Sequence, residues 1–524
     1  MLLASGTNSF DSTNRIMLPP VPTLSQYGIA PDRGFLPADL PLSRLPDPYY
    51  NRWEAIIANL QGLILSKRLR GVIDRLPVLT TSGLEHDSEW RRAYSILCFM
   101  AHGYIWGGDS PSEVGNLSLL PRIHANSMQR LPAAISVPLL RISEYLEVPP
   151  VATYAAVCLW NFKPLFADED IDNLENLATL TTFTGSIDES WFYLVSVAIE
   201  ARGAPILPLM LVAIEAARGR DSKTVAVCLR TFAERLDDLG TLLQRMHESC
   251  DPQVFYNRIR PFLAGSKNMA EAGLPNGVLY EDDSGNEQFR EYSGGSNAQS
   301  SIIQFFDIVL GIAHRPTGEK KDIASETDEG ASPPPKHNFL LEMRKYMPGP
   351  HRRFLEDVTK VANIREYVEA HQNDRELTVA YDACLAMLRA FREIHINIVT
   401  RYIIIKSRES RSHSRSKSPV VERRKIDIAS ASRQKDDGGS NKKNLKGTGG
   451  TALIPFLKQA RDETSEPAID AWARRVLNRD FSTKGQGDFF LGKKLDEEPG
   501  AELDSCGLAG SWTVEDNAGG ICHY

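Results

Sequence analysis

Phe391-Arg392-Glu393-Ile394-His395-Ile396-Asn397-Ile398-Val399-Thr400-Arg401-Tyr402-Ile403 is the stretch on which the reading of this chain turns. Wound at about 3.6 residues per turn, it and the residues before it place Cys384, Leu385, Leu388, Phe391, Ile398, Val399, Tyr402 and Ile403 on one face. His395 falls on that same face, four residues after Phe391 and seven before Tyr402. An imidazole turned inward among apolar side chains must find a hydrogen-bond partner or a metal. Alone, such a histidine is ordinarily a hydrogen-bonded core residue, so the rest of the chain has to decide.

At 524 residues there is room for two or three domains. A hydrophobic fraction of 42% with 24% charged residues is that of a globular protein. The net charge of −7 argues against a chain that coats nucleic acid. Seven scattered cysteines with no CxxC pair suit a reducing compartment. The first nine residues are too polar for a signal peptide, and apolar runs such as 205–214, broken by Pro208, are too short to span a bilayer. A cytoplasmic monomer with no membrane and no nucleic-acid partner is the expectation.

The apolar periodicity predicts an all-α fold. Residues 1–48 read as a proline-rich extended leader, laid over a surface or partly disordered. Asn51 and Glu54 have the spacing of a helix cap, with Trp53, Ile56, Ile57 and Leu60 forming the inward face behind it. A helix is predicted over 89–106, and a buried helix or helix pair over 192–218, kinked near Pro205 and Pro208. Gly219 is placed to stop it, and Asp221 or Ser222 to cap the next helix. Composition marks 316–337 as a surface insertion and 407–446, opening on arginine–serine alternation, as a disordered one. The latter reads as a solvated linker ahead of a phosphorylation site or an RNA contact. The remaining divisions are a small helical domain over 49–182, a large one over 183–480 and a peripheral tail over 481–524.

Few groupings could carry chemistry. Gly447-Thr448-Gly449-Gly450-Thr451 lacks the Lys-Ser/Thr of a phosphate-binding loop. His247 with Cys250, and His86 among its acidic neighbours, each lack half of a zinc ligand set. Gly294-Gly295-Ser296 puts small residues at the start of an apolar helix, where a ligand can approach the backbone. No GxSxG, HExxH or CxxCH occurs. One inward histidine in an all-helical chain is a natural axial ligand for a single noncovalent haem.

The chain resembles the indoleamine 2,3-dioxygenases. The matching stretches, in order, are 149–155, 192–196, Phe255 with Arg260 and 263–265, 294–296 with 299–301 and 306–307, 346–348 with His351 and Phe354, 395–403, and 447–451. They cover about residues 45–475 apart from the two insertions. The resemblance implies a haem enzyme that inserts both atoms of O₂ into the indole C2=C3 bond of L-tryptophan or a related indoleamine. The product is N-formylkynurenine, and an electron donor must keep the iron ferrous. His395 would ligate haem b, with Gly295, Asn297, Arg392 and Asp307 also on the cofactor, and Arg392 near a propionate. Asp307 either supports Arg392 or reaches solvent. Tyr154, Phe192, Phe255, Arg260, Ser296 and Thr448 would bind substrate: flat apolar walls suit an indole and a guanidinium suits a carboxylate. Phe255 and Arg260 are five apart, so a bend or helix end is expected between them. Ser196 would be a distal hydrogen-bonding or packing residue and not a base. The sequence departs from the family at Asn297, where a smaller residue is usual, and at Ser266, where animal members have tryptophan. The alternative is a haem sensor or store of the same fold with little dioxygenase activity.

Overall fold

The computed structural model describes residues 19–108, 129–317, 338–409, 453–477, 505–507 and 510–512. The chain to Leu477 is one compact unit, and the residues from Asn478 on form a second. Within the second, Ser505–Gly507 pairs antiparallel with Gly510–Trp512. Most of the predicted insertion over 316–337, most of that over 407–446 and most of the tail lie outside the described residues.

The compact unit is helical, as the periodicity requires. Among its described residues the strands are the two short antiparallel pairs Phe162–Pro164 with Leu177–Thr179 and Val278–Glu281 with Glu287–Arg290. From residue 19 on, the leader is more than a surface strap, because Leu24, Ile29, Phe35, Leu36 and Leu45 are buried in the main core. A 3-10 turn at Pro48–Tyr50 leads into α1, Asn51–Ala58. The predicted cap is different in detail. Asn51 makes no cap and accepts instead from Arg44, at 2.5 Å. Glu54 accepts from the Leu45 backbone N–H at 2.9 Å and pairs with Arg92 at 2.8 Å. Arg92 projects from α2, Asp87–Trp106, the helix predicted from residue 89. The leader is thereby tied to a buried ion pair.

The apolar run after Phe192 forms α3, Ile187–Gly203, and α4, Ile206–Arg218, broken at Pro205 as its proline predicts. This stretch is long and apolar enough to cross a membrane, but 72% of its most apolar window is buried within the protein, as in a core helix pair. Asp221 then caps α5, Ser222–Gln244, by accepting from the Thr224 N–H at 3.1 Å. Against α5 lies α6, Arg375–Val399, the helix carrying His395. The two approach closely: the Cys384 thiol donates to the Leu229 carbonyl at 2.9 Å, and Ile394 sits over Gly240.

Glycines set the remaining path. A Cβ on Gly294 would lie 2.0 Å from the Leu263 carbonyl oxygen, and one on Gly265 would lie 2.2 Å from that of Tyr292. Two backbone segments therefore cross in contact, and the close approach expected of a ligand here is made first by the chain itself. The crossing leads into α7, Ser301–Val309.

Removing one member of a buried ion pair strands the other. We expect Glu54→Ala to cost about 3–5 kcal/mol, and Glu54→Leu with Arg92→Met to cost less than Glu54→Ala alone. Chemical denaturation of the three proteins checks this. Equal stability of Glu54→Ala and the unaltered chain would contradict it.

Candidate active site

One cavity is lined by residues from α3, α5, α6, α7 and the glycine crossing. Tyr154, Phe192, Ser196, Phe255, Arg260, Gly295, Ser296, Asn297, Asp307, Arg392 and His395 all line it. Thr448 lies outside the described residues.

His395 projects from α6 with its imidazole open to the cavity, and it makes no protein hydrogen bond among the described residues. Burial, with the charge of Arg392 adding to it, pushes its pKa down to about 4, so the ring is neutral and offers a lone pair. No group of three or more His, Cys, Asp or Glu able to hold a bare metal ion occurs among the described residues. A lone imidazole therefore fits a metal that brings its other ligands with it, as haem does. One turn earlier on α6, Arg392 reaches α7 and donates to both Asp307 oxygens, at 2.6 and 2.7 Å. Asp307 thus supports Arg392 and does not reach solvent. Burial alone would raise the Asp307 carboxyl, but Arg392 and His314 outweigh it and hold it below the usual range.

Part of the lining is aromatic. The Phe192 and Phe255 ring centroids are 4.8 Å apart, and Phe255 meets Tyr402 edge-on at 5.8 Å. Arg260 is buried, with its guanidinium over the Tyr256 ring at 5.8 Å. The bend predicted between Phe255 and Arg260 is a π turn, Phe255–Ile259, in which the Arg260 N–H donates to the Phe255 carbonyl. A turn closed by an i to i+5 bond places residues five apart on one side, where an α-helix would part them. Ala155–Leu159 and Thr400–Ile405 are also π segments, and each contributes cavity-lining side chains. Ser296 uses its hydroxyl to accept from the Ala298 N–H at 3.3 Å and so shapes the wall it belongs to.

Glu200 was not legible as a site residue. It is fully buried behind the wall, where its Oε1 accepts from the hydroxyls of Tyr154 at 3.0 Å and Ser300 at 2.7 Å. Its Oε2 has no partner among the described residues. Burial raises its pKa from 4.5 to about 7, against the lowering effect of both hydroxyls. The available signal was its place eight residues after Phe192 and four after Ser196, a carboxylate on the inward face of an apolar helix. Gln299 was likewise missed: it accepts from the Tyr154 N–H at 2.9 Å and donates to the Gly294 carbonyl at 2.8 Å.

A mainly helical unit in which a neutral imidazole, without a hydrogen-bond partner among the described residues, lines an apolar cavity beside a buried ion pair has the features of a haem-pocket protein. Residues 23–467 match the family model described as indoleamine 2,3-dioxygenase. The chain is 43% identical to the indoleamine 2,3-dioxygenase of Saccharomyces cerevisiae, covering 86% of this chain and 95% of the relative. It is 40% identical to one from Penicillium citrinum, over 84% of this chain and 88% of the relative. A protein of Fusarium equiseti named 6-hydroxytryptophan 2,3-dioxygenase is 35% identical, over 84% of this chain and 97% of that one. The chain belongs to the indoleamine 2,3-dioxygenase family and is an oxidoreductase of that dioxygenase type. The family is haem-dependent and uses O₂.

Glu200 makes a testable contribution to stability. Because its folded pKa is raised, the folded chain holds a proton that the unfolded chain releases between pH 4.5 and about 7. Stability is therefore lost across that window and is level above it. Glu200→Gln lacks this dependence, so its stability relative to the unaltered chain should rise by about 3 kcal/mol between pH 4.5 and 7. Denaturation at pH 5 and 8 measures the difference, and an equal difference at both values would contradict the assignment.

Proposed function

We propose that this chain binds one haem b noncovalently through His395 and cleaves the indole ring of L-tryptophan with O₂ to give N-formylkynurenine. The observation that carries this reading is the neutral imidazole of His395, without a hydrogen-bond partner among the described residues, lining one cavity together with Phe192, Phe255 and the buried Arg260. When bound, haem supplies the redox chemistry that activates O₂.

The chain's own residues do the rest. Arg260 offers a fork of donors to the amino-acid carboxylate and fixes the substrate's direction. Phe192 and Phe255, their rings tilted at 51° to each other, offer apolar faces to the indole. Arg392 keeps a cation beside the cofactor, and Asp307 shares its charge so that it can stay buried. Ser196 supplies a hydroxyl to the wall and touches the Cys158 thiol. Its intrinsic acidity is too low for a base at neutral pH, and inserting both oxygen atoms calls for no distal base to split peroxide. Gly295, Ser296 and Asn297 all line the cavity, and in this reading the first and last would face the cofactor and Ser296 the substrate. Thr448, in the glycine-rich sequence 447–451, would meet the substrate and exclude water. The enzyme acts as a monomer in the cytoplasm, with an electron donor as its remaining partner.

The test is the purified full chain given hemin, O₂, ascorbate with methylene blue, and either L-tryptophan or 6-hydroxytryptophan. Growth of N-formylkynurenine absorbance with L-tryptophan is expected. Turnover of the hydroxylated substrate alone would reassign the substrate. Haem uptake with neither product would favour a sensor or store. Arg260→Leu should raise KM for L-tryptophan by about tenfold or more while leaving the haem spectrum unchanged. An unaltered KM would remove Arg260 from the site.

A further inference from the structure

A second charged cluster lies behind Arg392. After α7 the chain carries His314, and far later in sequence, beyond α6, comes α8, Leu453–Thr464. His314 Nδ1 is hydrogen-bonded to Glu463 Oε2 at 2.7 Å, whereas its Nε2 lies at ion-pair distance from Asp307 Oδ2, 3.0 Å, without hydrogen-bond alignment. Each ring nitrogen faces an oxygen of an ionised carboxylate, which can only accept. A neutral imidazole has one N–H and would set a lone pair against one of them, so both contacts are favourable only with both nitrogens protonated. Burial disfavours the charged ring, but Asp307 and Glu463 outweigh it and raise its pKa. Glu463 is held below the usual range for the same reason.

The neighbours are specific. Glu463 also accepts from the Arg315 backbone N–H at 3.1 Å and from Gln459 at 2.8 Å, and the Arg315 side chain pairs with Glu466. On the other face of α8, Thr464 accepts from the Arg392 guanidinium, and Arg461 pairs with Glu393 at 2.8 Å. Leu453, Phe456, Leu457 and Ala460 of α8 line the main cavity. Movement of α8 would therefore disturb both Arg392 and the cavity beside His395.

We propose that His314 is a positioning residue: shared as an imidazolium between Asp307 and Glu463, it clamps α8 against Arg392 and so holds the cofactor side of the cavity together. The inference rests on the haem reading for its effect on the cofactor, though the clamp itself does not need haem. Its sign follows from linkage. A histidine whose folded pKa is raised contributes stability that is fully present below the unfolded value and is lost as pH rises through the folded one. Arg392 opposes the charge on the ring, Asp307 and Glu463 favour it, and Arg315 with Glu466 flank Glu463.

The experiment uses the full chain, His314→Gln and Glu463→Gln, the last being isosteric and leaving the Asp307 contact in place. Thermal midpoints are measured without added hemin at pH 6 and pH 9. The rate at which bound hemin passes to excess apomyoglobin is measured at the same two values. At pH 6 both variants should melt lower than the unaltered chain and release hemin about tenfold faster, and both gaps should shrink by pH 9. Gaps of equal size at the two pH values would overturn the shared imidazolium. A melting gap that closes with pH while hemin release is unchanged would overturn the positioning role. An unaltered chain that takes up no hemin would sink the haem reading and the positioning role with it, while the melting curves would still report the clamp.

Discussion

The carboxylate of Asp307 is the point on which the site depends. Arg392 stands one turn before His395 on the same helix, so the imidazole cannot face an apolar cavity unless a guanidinium is buried with it. A buried cation without a partner is untenable, and Asp307 is the partner. The pair fixes α7 against α6. The position of α7 is fixed in turn by the crossing of Gly265 and Gly294, where no side chain fits. The register of the carrier helix, the entry of Gly295 to Asn297 into the cavity wall and the direction of His395 thus form one linked arrangement.

Part of the cavity wall is built by departures from the regular helix. In each of the π segments at 155–159, 255–259 and 400–405 the change of hydrogen-bond register re-aims side chains within an otherwise helical run. They supply Cys158, Phe255 and Tyr402 to the cavity, and the segment at 255–259 presents Arg260 beside Phe255. An all-α scaffold has no strand ends on which to mount a site, and here irregular turns take over that task.

What could be read in advance follows from range. The face carrying His395 is a local pattern, and the structure places it as the period requires. The break at Pro205 and the cap at Asp221 are equally local. That Phe255 and Arg260 share a side could be framed only as a bend, because a π turn leaves no compositional mark. The roles of Tyr154, Arg260 and Asn297 came from resemblance to a family and not from periodicity. Glu200 with Ser300 and His314 with Glu463 were invisible because their partners lie 100 and 149 residues away, and nothing near either residue announces the other. The leader misled for a related reason: its prolines suppress helical periodicity, yet Phe35 and Leu36 are core residues.

The central claim is that His395 presents a free, neutral nitrogen to the iron of a haem. The direct measurement is the optical spectrum of the hemin-loaded chain and of His395→Gly, each recorded ferric, and then ferrous with carbon monoxide, with and without free imidazole. The account predicts one equivalent of histidine-ligated haem in the unaltered chain, and in the variant a loss of that spectrum which added imidazole restores. A variant that takes up hemin with the unaltered spectrum, and no response to imidazole, would contradict it.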